Sequence, residues 1–520
     1  MVFLSIFVNM KQILYILAFF LSTYVMAQEN SVQQKAEALA GGETFRNASV
    51  GIKAMTGKGE IIADNGSGKL LVPASNMKLI STGTALARLG SDFRYSTDIA
   101  YDGVIQDGIL HGNLYIVGNG DPLIGSKDSL AIPLEKTFRE WERIVRNAGI
   151  RNIDGYIIGD GRWLDGMPEE PTWQWNDIGT YYGTGVSGLN FYENMISFNV
   201  SVNHDGGKEP LNIRQIYPST SWMDITCSGT VGEKSTGDRL YMYTSELSPV
   251  AEIRGTYGID RGTKQVDFSN KYPEYTCAVY FKNYLEKNGI TCTGGAVDFK
   301  LKNSWISGQK PPYGISPEGD SLKVIGTTYS PSLKDIVFKT NRESNNLLAE
   351  TLLRTLGKQY CGDSSYEPSR TACMEILKEM MGAEYSRVRI QDGSGLSRQN
   401  LISADFLCDF LQSMMHTDCF EDFLWSLAVP AEEGSMRYNM TRYPKELRQR
   451  IRVKSGSMNN IRCYSGYILP ADYTPAHGAP VPQEIREKTI IFSIMTGNFI
   501  APPWEVSHPL EKLMAEIAGF

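Results

Sequence analysis

The chain has 520 residues, of which 42% are apolar and 21% charged, and its formal net charge is −7. A chain of this length exceeds one ordinary hydrophobic core, so two or three domains are expected, and the composition excludes a disordered or collagen-like protein. The acidic balance excludes a nucleic-acid-binding surface spread over the whole protein.

The N-terminus has the order of features that is typical of a secretory signal peptide. A lysine precedes an apolar run at residues 13–20, and small residues end at Ala27. The pattern predicts a signal peptide over residues 1–27, cleaved near Ala27, and export to the periplasm. No cysteine follows Ala27, so a lipoprotein anchor is not indicated. An uncleaved anchor is the alternative, and Met10 is an alternative start to Met1.

Residues 48–64 predict two strands joined by a glycine turn, and they lead into an apolar helix that begins at Ser75. In this helix Arg88 lies near the Gly90 stop, where a cation is expected, but Lys78 has no such explanation. Positions i and i+3 share one helix face, so the Lys78 amine can meet the Ser75 hydroxyl.

A buried lysine without a partner lowers its pKa and loses its charge, and a neutral amine can take the proton of Ser75. This pair therefore indicates a serine nucleophile with a lysine base. The structural alternative is an N-cap serine with a lysine that extends to solvent.

From about residue 93 to residue 320 the sequence predicts short strands with many glycines. Two segments in this region, EWERIVRNAGIRNIDGYIIGD and FKNYLEKNGITCTGGAVDF, each run from a helix through a glycine stop into a strand. Their similarity indicates a β-rich insert built in two parts.

Helical patterns return after residue 331, and two further motifs follow. Ser344 is expected to open a helix, with Asn346 two residues later, and Lys454-Ser455-Gly456 reads as part of a strand. The lysine of that strand can hold a substrate carboxylate, and the glycine allows a substrate backbone to lie close. The alternatives are a helix-capping serine and an edge-strand lysine before a turn.

The end of the chain predicts two more strands and a closing helix, which form one sheet-and-helix domain with the first strands.

None of the eight cysteines forms a C-x-x-C pair. Cys361 with Cys373 and Cys408 with Cys419 are the disulfides that spacing suggests, and free buried thiols are the equal alternative.

Three motifs in this order, S-x-x-K on a helix, S-x-N, and K-[ST]-G on a strand, resemble those of the penicillin-binding proteins and serine β-lactamases. The long interval between Ser75 and Ser344 is similar to that of the PBP4 (DacB) type, the D-alanyl-D-alanine carboxypeptidases/endopeptidases of peptidase family S13. The segments VGNGDPLI, WQWNDIGTYYGTGVSGLNFYEN and DGSGLSR add to the resemblance, which extends over almost all of the mature chain.

The resemblance implies an α+β fold. A β-lactamase/transpeptidase-like domain, an antiparallel sheet with helices on its faces, is interrupted by a large β-rich insert of one or two subdomains. The expected segments are a signal peptide at 1–27, a catalytic domain at 28–92 plus 320–520, an inserted domain at 93–195 plus 270–319, and a second inserted domain at 196–269.

The resemblance also implies roles for individual residues. Ser75 would form the acyl-enzyme with Lys78 as its base, and Ser344 would relay protons between Lys78, Lys454 and the leaving amine. Asn346 is expected to bind the substrate amide, and Lys454 and Ser455 its carboxylate. Gly456 would lie against the substrate backbone, and the N–H groups of Ser75 and Ser457 would bind the oxyanion. The peptide side chain is expected to be bound by Asp177, Tyr182, Arg398 and Met458.

The substrates implied are peptidoglycan stem peptides and cross-links, with β-lactams as covalent inhibitors and no metal, cofactor or nucleic acid. The third motif reads K-S-G in place of the commoner K-T-G, which preserves the hydroxyl, and residues 427–436 depart from the usual loop sequence. No glutamate is placed like the deacylation base of class A β-lactamases, so slow hydrolysis of β-lactam adducts is expected. The sequence leaves open whether copies of the chain form a homo-oligomer.

Two alternatives use the same fold: a β-lactamase or esterase, and a non-catalytic wall-binding protein. Other hydrolase classes fit poorly. No G-x-S-x-G and no H-E-x-x-H occurs, and the chain has only five histidines.

Overall fold

The computed structural model describes residues 32–202, 211–299 and 322–519. The predicted signal peptide at 1–27 lies outside the described residues. In chain order the strands are β1 Ser49–Thr56, β2 Ile61–Asn65, β3 Ser96–Tyr101, β4 Val104–Gln106, β5 Ile109–His111, β6 Leu114–Gly118, β7 Asn152–Asp154, β8 Tyr156–Asp160, β9 Met195–Ser201, β10 Asn212–Tyr217, β11 Asp224–Cys227, β12 Thr230–Gly232, β13 Asp238–Ser245, β14 Ser248–Gly258, β15 Lys264–Ser269, β16 Thr291–Cys292, β17 Gly295–Asp298, β18 Lys323–Tyr329, β19 Ile451–Met458, β20 Ile461–Ile468 and β21 Ile490–Gly497.

The helices of the described residues are α1 at 32–41, α2 Met77–Leu89, α3 Leu134–Asn147, α4 Trp175–Ile178, α5 Pro273–Lys287, α6 Leu333–Glu343, α7 Asn346–Cys361, α8 Tyr366–Met381, α9 Ala404–Met414, α10 Phe420–Ser426, α11 Lys445–Arg448, α12 Gln483–Lys488 and α13 Pro503–Ala518. Short 3-10 turns cover Ala74–Asn76, Tyr192–Asn194 and Gly382–Ser386. No helix within the three described ranges combines the length and apolarity that crossing a bilayer requires.

Strands from both ends of the chain form one antiparallel five-stranded sheet, in the order β19-β20-β21-β1-β2. The inner strand β21 is buried along its whole length, because both faces of the sheet are covered. Ile491 and Met495 belong to the core under helices α2 and α6–α10, whereas Phe492 and Ile494 belong to the core shared with α1 and α13. Alternate side chains of a strand point to opposite faces, so one apolar strand supplies both cores. The predicted α+β class, with helices on both faces of an antiparallel sheet, is confirmed.

The segment between α2 and α6 forms separate sheets. One has the order β17-β8-β6-β3-β18 and another β16-β7-β5-β4. The two similar sequence segments form α3 with β7 and β8, and α5 with β16 and β17. Their strands are neighbours, because β16 pairs in parallel with β7 and β17 in parallel with β8. The helix, glycine stop and strand that the sequence predicts twice therefore lie side by side in the structure.

Two further sheets, β10-β9-β15 and a four-stranded sheet of β11–β14, lie between β8 and α5 in the chain. We propose that they form the second inserted domain, near residues 196–269. The expected boundary of the catalytic domain at residue 320 precedes β18, which pairs with the insert strand β3. We therefore propose that the chain returns to the catalytic domain after Tyr329.

The cysteines form no disulfide. Cys361 is exposed, Cys227 is partly exposed, and the other cysteines are buried. Of the two alternatives that the spacing left open, the structure has the free thiols, so this fold is held by its cores and not by covalent cross-links.

Candidate active site

Ser75 lies in a tight turn that connects the first two strands to α2. It occupies the 3-10 turn Ala74–Asn76, after which the α-helix begins at Met77. The Asn76 side chain donates to Ser465 Oγ at 2.7 Å, which fixes the turn to β20. Because the turn is buried against the sheet while Ser75 remains half-exposed, the serine hydroxyl faces the cleft described below.

Lys78 is fully buried, one turn after Ser75, with three oxygens around its Nζ. The distances are 3.0 Å to Ser75 Oγ, 2.6 Å to Asn346 Oδ1 and 2.7 Å to the Ser394 carbonyl oxygen. A neutral amine has two N–H donors and one lone pair. The amide and carbonyl oxygens accept the two N–H bonds, so the lone pair is left for the hydroxyl proton of Ser75. The site is thus fully hydrogen-bonded with Lys78 uncharged.

Burial lowers the pKa of Lys78 to about 7, although the charges of Asp392 and Glu350 partly oppose the shift. An amine with this pKa is uncharged in a large fraction of molecules near neutral pH. A general base is most effective when its pKa is close to the working pH. The electrostatics therefore suit Lys78 to accept a proton from Ser75.

The loop that carries the Ser394 carbonyl is held by a buried acid. Glu350 on α7 accepts the backbone N–H of Gly393 at 3.1 Å and of Ser394 at 2.7 Å. Gly395 has φ of +86°, and a Cβ there would lie 1.8 Å from the Ala74 carbonyl oxygen. The DGSG segment therefore packs directly on the Ser75 turn and presents an acceptor to Lys78.

Ser344 lies between two helices, and its predicted place at a helix start is wrong. It ends α6 in a left-handed conformation with φ of +59°, whereas the Asn345 side chain caps α7 by accepting the Leu348 N–H. Asn345 takes the N-cap position in place of Ser344, because its side chain reaches the free N–H groups of the next helix. The left-handed residue turns the Ser344 hydroxyl toward Lys454, whose Nζ donates to it at 2.8 Å.

Lys454 is fully buried on β19 and also donates to the Ser455 carbonyl at 2.8 Å. Burial and the nearby charge of Lys78 lower the pKa of Lys454. Two buried lysines and two serine hydroxyls thus meet at one place, with pKa values shifted toward the neutral amine in both cases. This arrangement can move a proton between the two sides of the cleft.

Among the described residues, the edge of β19 that faces the cleft pairs with no strand beyond Val453, although the Ser455 carbonyl accepts from Lys454 Nζ. Val453 exchanges both backbone hydrogen bonds with Ala428 on the side opposite β20. Since alternate residues of a strand direct their N–H and C=O groups to the same side, those of Ser455 and Ser457 also point away from β20. The edge can therefore pair with an extended peptide, and the Ser457 N–H is available to an oxyanion.

The loop at 427–436, which departs from the usual sequence, lies along this edge. Gly434 packs on the Arg342 carbonyl, and the Ser435 N–H donates to the same oxygen at 2.7 Å. Ser455 Oγ donates to Ser435 Oγ at 3.4 Å. Sequence reasoning missed Ser435, and the signal for it was the Gly-Ser pair before Met436 within a segment already noted as unusual.

These residues surround a cleft with a volume of about 1260 Å³. Lys78, Lys454 and Gly456 lie behind its wall and are buried, and Ser455 reaches the cleft through its contact with Ser435. The other predicted site residues line the cleft, namely Ser75, Ser344, Asn346, Ser457, Asp177, Tyr182, Arg398 and Met458.

The insert contributes one wall of the cleft. Tyr182 donates its hydroxyl to Asp177 Oδ1 at 3.1 Å, and its carbonyl oxygen accepts the Asn346 Nδ2 at 2.8 Å. The second bond fixes the orientation of the Asn346 amide, so its oxygen faces Lys78. Burial raises the pKa of Asp177, opposed by the Tyr182 hydrogen bond and the Arg398 charge. Arg398 donates to the Asn459 carbonyl oxygen at 3.2 Å.

A second contact from the insert, which sequence reasoning also missed, reaches the residue next to Ser344. Glu193 lies in a turn whose three residues all have φ near +50°. Its carboxylate accepts the Asn345 Nδ2 at 2.6 Å and the Ser126 hydroxyl at 2.5 Å. Non-glycine residues in this conformation are strained, and they persist where surrounding contacts fix them. The strained turn therefore holds the Ser344–Asn346 segment from the insert side.

Within the described ranges, no three His, Cys, Asp or Glu side chains are grouped as a metal site requires. A serine hydroxyl with a neutral amine beside it, and backbone N–H groups near it, is the arrangement of an acyl-transfer site.

Comparison with known proteins places this chain in a family. The model of the D-Ala-D-Ala carboxypeptidase 3 (S13) family matches residues 32–504. A D-alanyl-D-alanine carboxypeptidase from Actinomadura sp. (strain R39) is 24% identical over 481 residues, which cover 89% of this chain and 80% of that protein. The D-alanyl-D-alanine carboxypeptidase DacB from Haemophilus influenzae is 22% identical over 422 residues, covering 79% of this chain and 80% of that protein.

The fold is also shared with a solved structure. The crystal structure of penicillin-binding protein 4 from Haemophilus influenzae superposes with a TM-score of 0.73 at 18% identity, covering 93% of this chain and 98% of that chain. The family match spans both the catalytic sheet and the insert. The chain therefore belongs to the D-Ala-D-Ala carboxypeptidase (S13) family of serine hydrolases.

Proposed function

We propose that the protein is a serine-type carboxypeptidase and/or endopeptidase that cleaves next to a D-alanine in peptidoglycan stem peptides and cross-links, through an acyl-enzyme on Ser75. The observation that carries the proposal is the arrangement at Lys78: its Nζ lies 3.0 Å from Ser75 Oγ and is held there by Asn346 Oδ1 and the Ser394 carbonyl oxygen. The S13 relatives are named as D-alanyl-D-alanine carboxypeptidases.

In the first half of the reaction, Ser75 Oγ attacks the carbonyl carbon of the penultimate D-alanine and its proton passes to Lys78 Nζ. The oxygen of that carbonyl becomes an oxyanion, which accepts N–H bonds from Ser75 and Ser457. The C–N bond then breaks, and the proton that Lys78 took passes to the leaving amine through Ser344, which Lys454 contacts, so that Lys78 is neutral again. The products are an ester on Ser75 and a free amine.

In the second half, water attacks the ester carbonyl and gives a proton to Lys78. The C–O bond to Ser75 then breaks, Lys78 returns the proton to Ser75 Oγ, and the shortened peptide leaves as its carboxylic acid. The substrate peptide lies along the free edge of β19 as an added strand. Its terminal carboxylate is bound by Lys454, Ser455 and Ser435. Asn346 binds its amide, and Asp177, Tyr182, Arg398 and Met458 surround its side chain.

β-Lactams would acylate the same serine, and slow hydrolysis of the adduct would make them inhibitors. One β-lactam complex is known for the related Haemophilus influenzae structure, which superposes with a TM-score of 0.67 at 19% identity. Peptidoglycan lies outside the cytoplasmic membrane, so this substrate agrees with the predicted export and cleavage near Ala27. N-terminal sequencing of the exported protein tests the cleavage site.

The test of function is digestion of purified peptidoglycan followed by mass analysis. Free D-alanine indicates carboxypeptidase action, and loss of cross-linked peptides indicates endopeptidase action. Fluorescent penicillin should label the parent and not Ser75→Ala, while the thermal midpoint of the variant stays within a few degrees. Labelling of Ser75→Ala would remove this serine from the mechanism.

The same experiment separates the two alternatives. Rapid β-lactam turnover without D-alanine release would identify a β-lactamase or esterase. A protein that takes up no penicillin and releases nothing from peptidoglycan would be a non-catalytic wall-binding protein.

A further inference from the structure

Aromatic side chains of β13 and α4 form a row on the solvent face of the insert, beside the cleft. Tyr241 and Tyr243 alternate with Met242 along β13, so both tyrosines lie on one face while Met242 is fully buried on the other. Their ring centroids are 5.2 Å apart. Trp175 on α4 stacks on Tyr243, with centroids 6.0 Å apart and an interplanar angle of 21°.

This row is accessible and rigid. Trp175 is 58% exposed. Behind it, α4 packs on β13 so closely that a Cβ on Gly179 would lie 1.6 Å from the Met242 carbonyl oxygen. The Ser269 N–H also donates to the Gly179 carbonyl at 3.0 Å. The tryptophan is therefore held in place by two strands, and solvent covers its outer surface.

Hydrogen-bonding side chains lie next to the rings. Across the strand pair, Arg254 faces Tyr241 and Glu252 faces Tyr243. The guanidinium of Arg254 lies 5.1 Å from the Tyr243 ring centroid and forms a salt bridge with Glu252. The three rings are not coplanar, because Trp175 covers one face of Tyr243 and Tyr241 meets Tyr243 at an interplanar angle of 76°. The outer face of Trp175 is therefore the aromatic face offered to a ligand, with charged groups at its border. It suits a ligand that has both C–H-rich faces and hydroxyl or amide groups.

The row continues into the cleft. Gln174, Asn176 and Asp177, the neighbours of Trp175 in sequence, line the cleft, and so does Tyr181, which is 60% exposed. Trp175 itself lies just outside the lining. A ligand on the aromatic row is therefore adjacent to whatever peptide occupies the site of Ser75.

We propose that Trp175, supported by Tyr243 and Tyr241, forms a binding surface for the glycan strand of peptidoglycan, with a sugar ring stacked on the face of Trp175 that is turned away from Tyr243. The inference rests on the proposed function, since the stem peptide in the cleft is attached to such a strand. The apolar face of a pyranose ring matches the negative face of an aromatic ring, and its hydroxyl and acetamido groups match Arg254 and Glu252.

The test measures glycan binding and peptide hydrolysis separately. The glycan probe is peptidoglycan whose stem peptides have been removed with an amidase, and binding is followed by co-sedimentation. Trp175→Ala and Tyr243→Ala should each weaken binding about tenfold. Trp175→Phe, which keeps a ring, should bind much more tightly than Trp175→Ala. Tyr329→Ala is the matched control, because Tyr329 is 58% exposed on a strand of another sheet, and it should bind like the parent.

On a soluble stem pentapeptide without sugar, Trp175→Ala should release D-alanine at the parental rate, whereas on intact peptidoglycan its rate should fall. The proposal is overturned if the parent does not bind the stripped glycan, or if Trp175→Ala and Tyr243→Ala bind it as tightly as the parent. If these variants bind the glycan like the parent but no longer bind vesicles or self-associate, the surface serves another partner and the proposal is also overturned. Failure of the proposed function appears differently, as a parent that releases no D-alanine from the soluble peptide.

Discussion

The amide oxygen of Asn346 lies 2.6 Å from Lys78 Nζ, while the nitrogen of the same amide donates to the Tyr182 carbonyl at 2.8 Å. One side chain therefore connects the lysine of the catalytic domain to the backbone of the insert. The amide gives Lys78 an acceptor without giving it a negative charge. This neutrality keeps the pKa of Lys78 near 7, because a carboxylate at the same place would stabilise the ammonium form.

Asn346→Asp should raise the pKa of Lys78 above about 7 and move the acid limb of the acylation rate to higher pH by about one unit or more. The measurement is the second-order rate of acylation by penicillin between pH 5 and pH 10. Asn459→Asp is the matched control, since it adds the same charge at the exposed rim of the cleft. An acid limb that stays in place in Asn346→Asp would contradict the assignment of Lys78 as the base.

Lys78 should also make stability depend on pH. Its pKa is about 7 in the folded protein and 10.5 in the unfolded chain, so between these values the unfolded state binds the additional proton. The free energy of unfolding then rises with pH, by up to ~1.4 kcal/mol per pH unit within the window. Below pH 7 both states are protonated and the cost of the buried charge is present in full.

The matched comparison is Lys78→Met, which removes the titrating group. Urea unfolding at pH 7 and at pH 10 should show a larger gain in stability for the parent than for the variant. The variant also leaves two acceptors unsatisfied, but that cost is the same at both pH values. Parallel behaviour of the two proteins would mean that Lys78 remains charged in the fold.

The sequence predicted which polar side chains lie together at the cleft because their spacing follows from regular structure. Ser75 and Lys78 are three residues apart on one helical face, and Lys454 lies in a segment whose residue pattern predicts a strand. The positions of residues in irregular backbone are harder to predict from the sequence. Ser344 was expected at a helix start, since serine is a common N-cap, and no local signal shows that Asn345 takes that place and leaves Ser344 in a left-handed turn.

The same limit applies to side chains that act from a distance in sequence. Glu350, Glu193 and Ser435 contact the site only because the fold brings α7, the insert and the 427–436 loop together. A charged residue in a helical pattern, such as Glu350, is predicted to lie on the protein surface. Its burial and its bonds to the 393–394 backbone depend on tertiary packing, which periodicity does not report.

Gly456 should tolerate no side chain. A Cβ at this position would lie 2.5 Å from the Pro73 carbonyl oxygen and 3.1 Å from the Asn76 nitrogen, both in the Ser75 turn. Gly456→Ala should move β19 away from Ser75, lower acylation by about 100-fold and cost ~1–3 kcal/mol of stability, as overpacking does. Gly497→Ala in the same sheet is the control, because nothing lies within 4 Å of its Cβ. Equal acylation by the two variants would contradict the close packing.

Glu193 should act as a positioning residue for the Ser344–Asn346 segment. Glu193→Ala removes the acceptor of Asn345 Nδ2 and should lower the acylation rate about tenfold, because Ser344 and Asn346 lose their fixed geometry. Glu193→Gln keeps an oxygen for Asn345, and its amide can donate to the Ser126 hydroxyl, so it should recover most of the rate. Circular dichroism confirms that both variants are folded. If both acylate like the parent, the strained turn has no part in the site.

Asp177 should select substrates by charge. It is a buried carboxylate in the wall of the cleft, and a cationic group is the partner that a buried acid favours. Asp177→Asn should therefore lower kcat/KM about tenfold for stem peptides whose third residue ends in an amine, and leave acylation by a small uncharged β-lactam unchanged. Acetylation of the substrate amine is the chemical control, since it should remove the difference between parent and variant. Because burial raises the pKa of Asp177, the preference of the parent for the amine should weaken as pH falls through that pKa. A parent that cleaves acetylated and free peptides equally well would assign the side-chain site to other residues of the cleft.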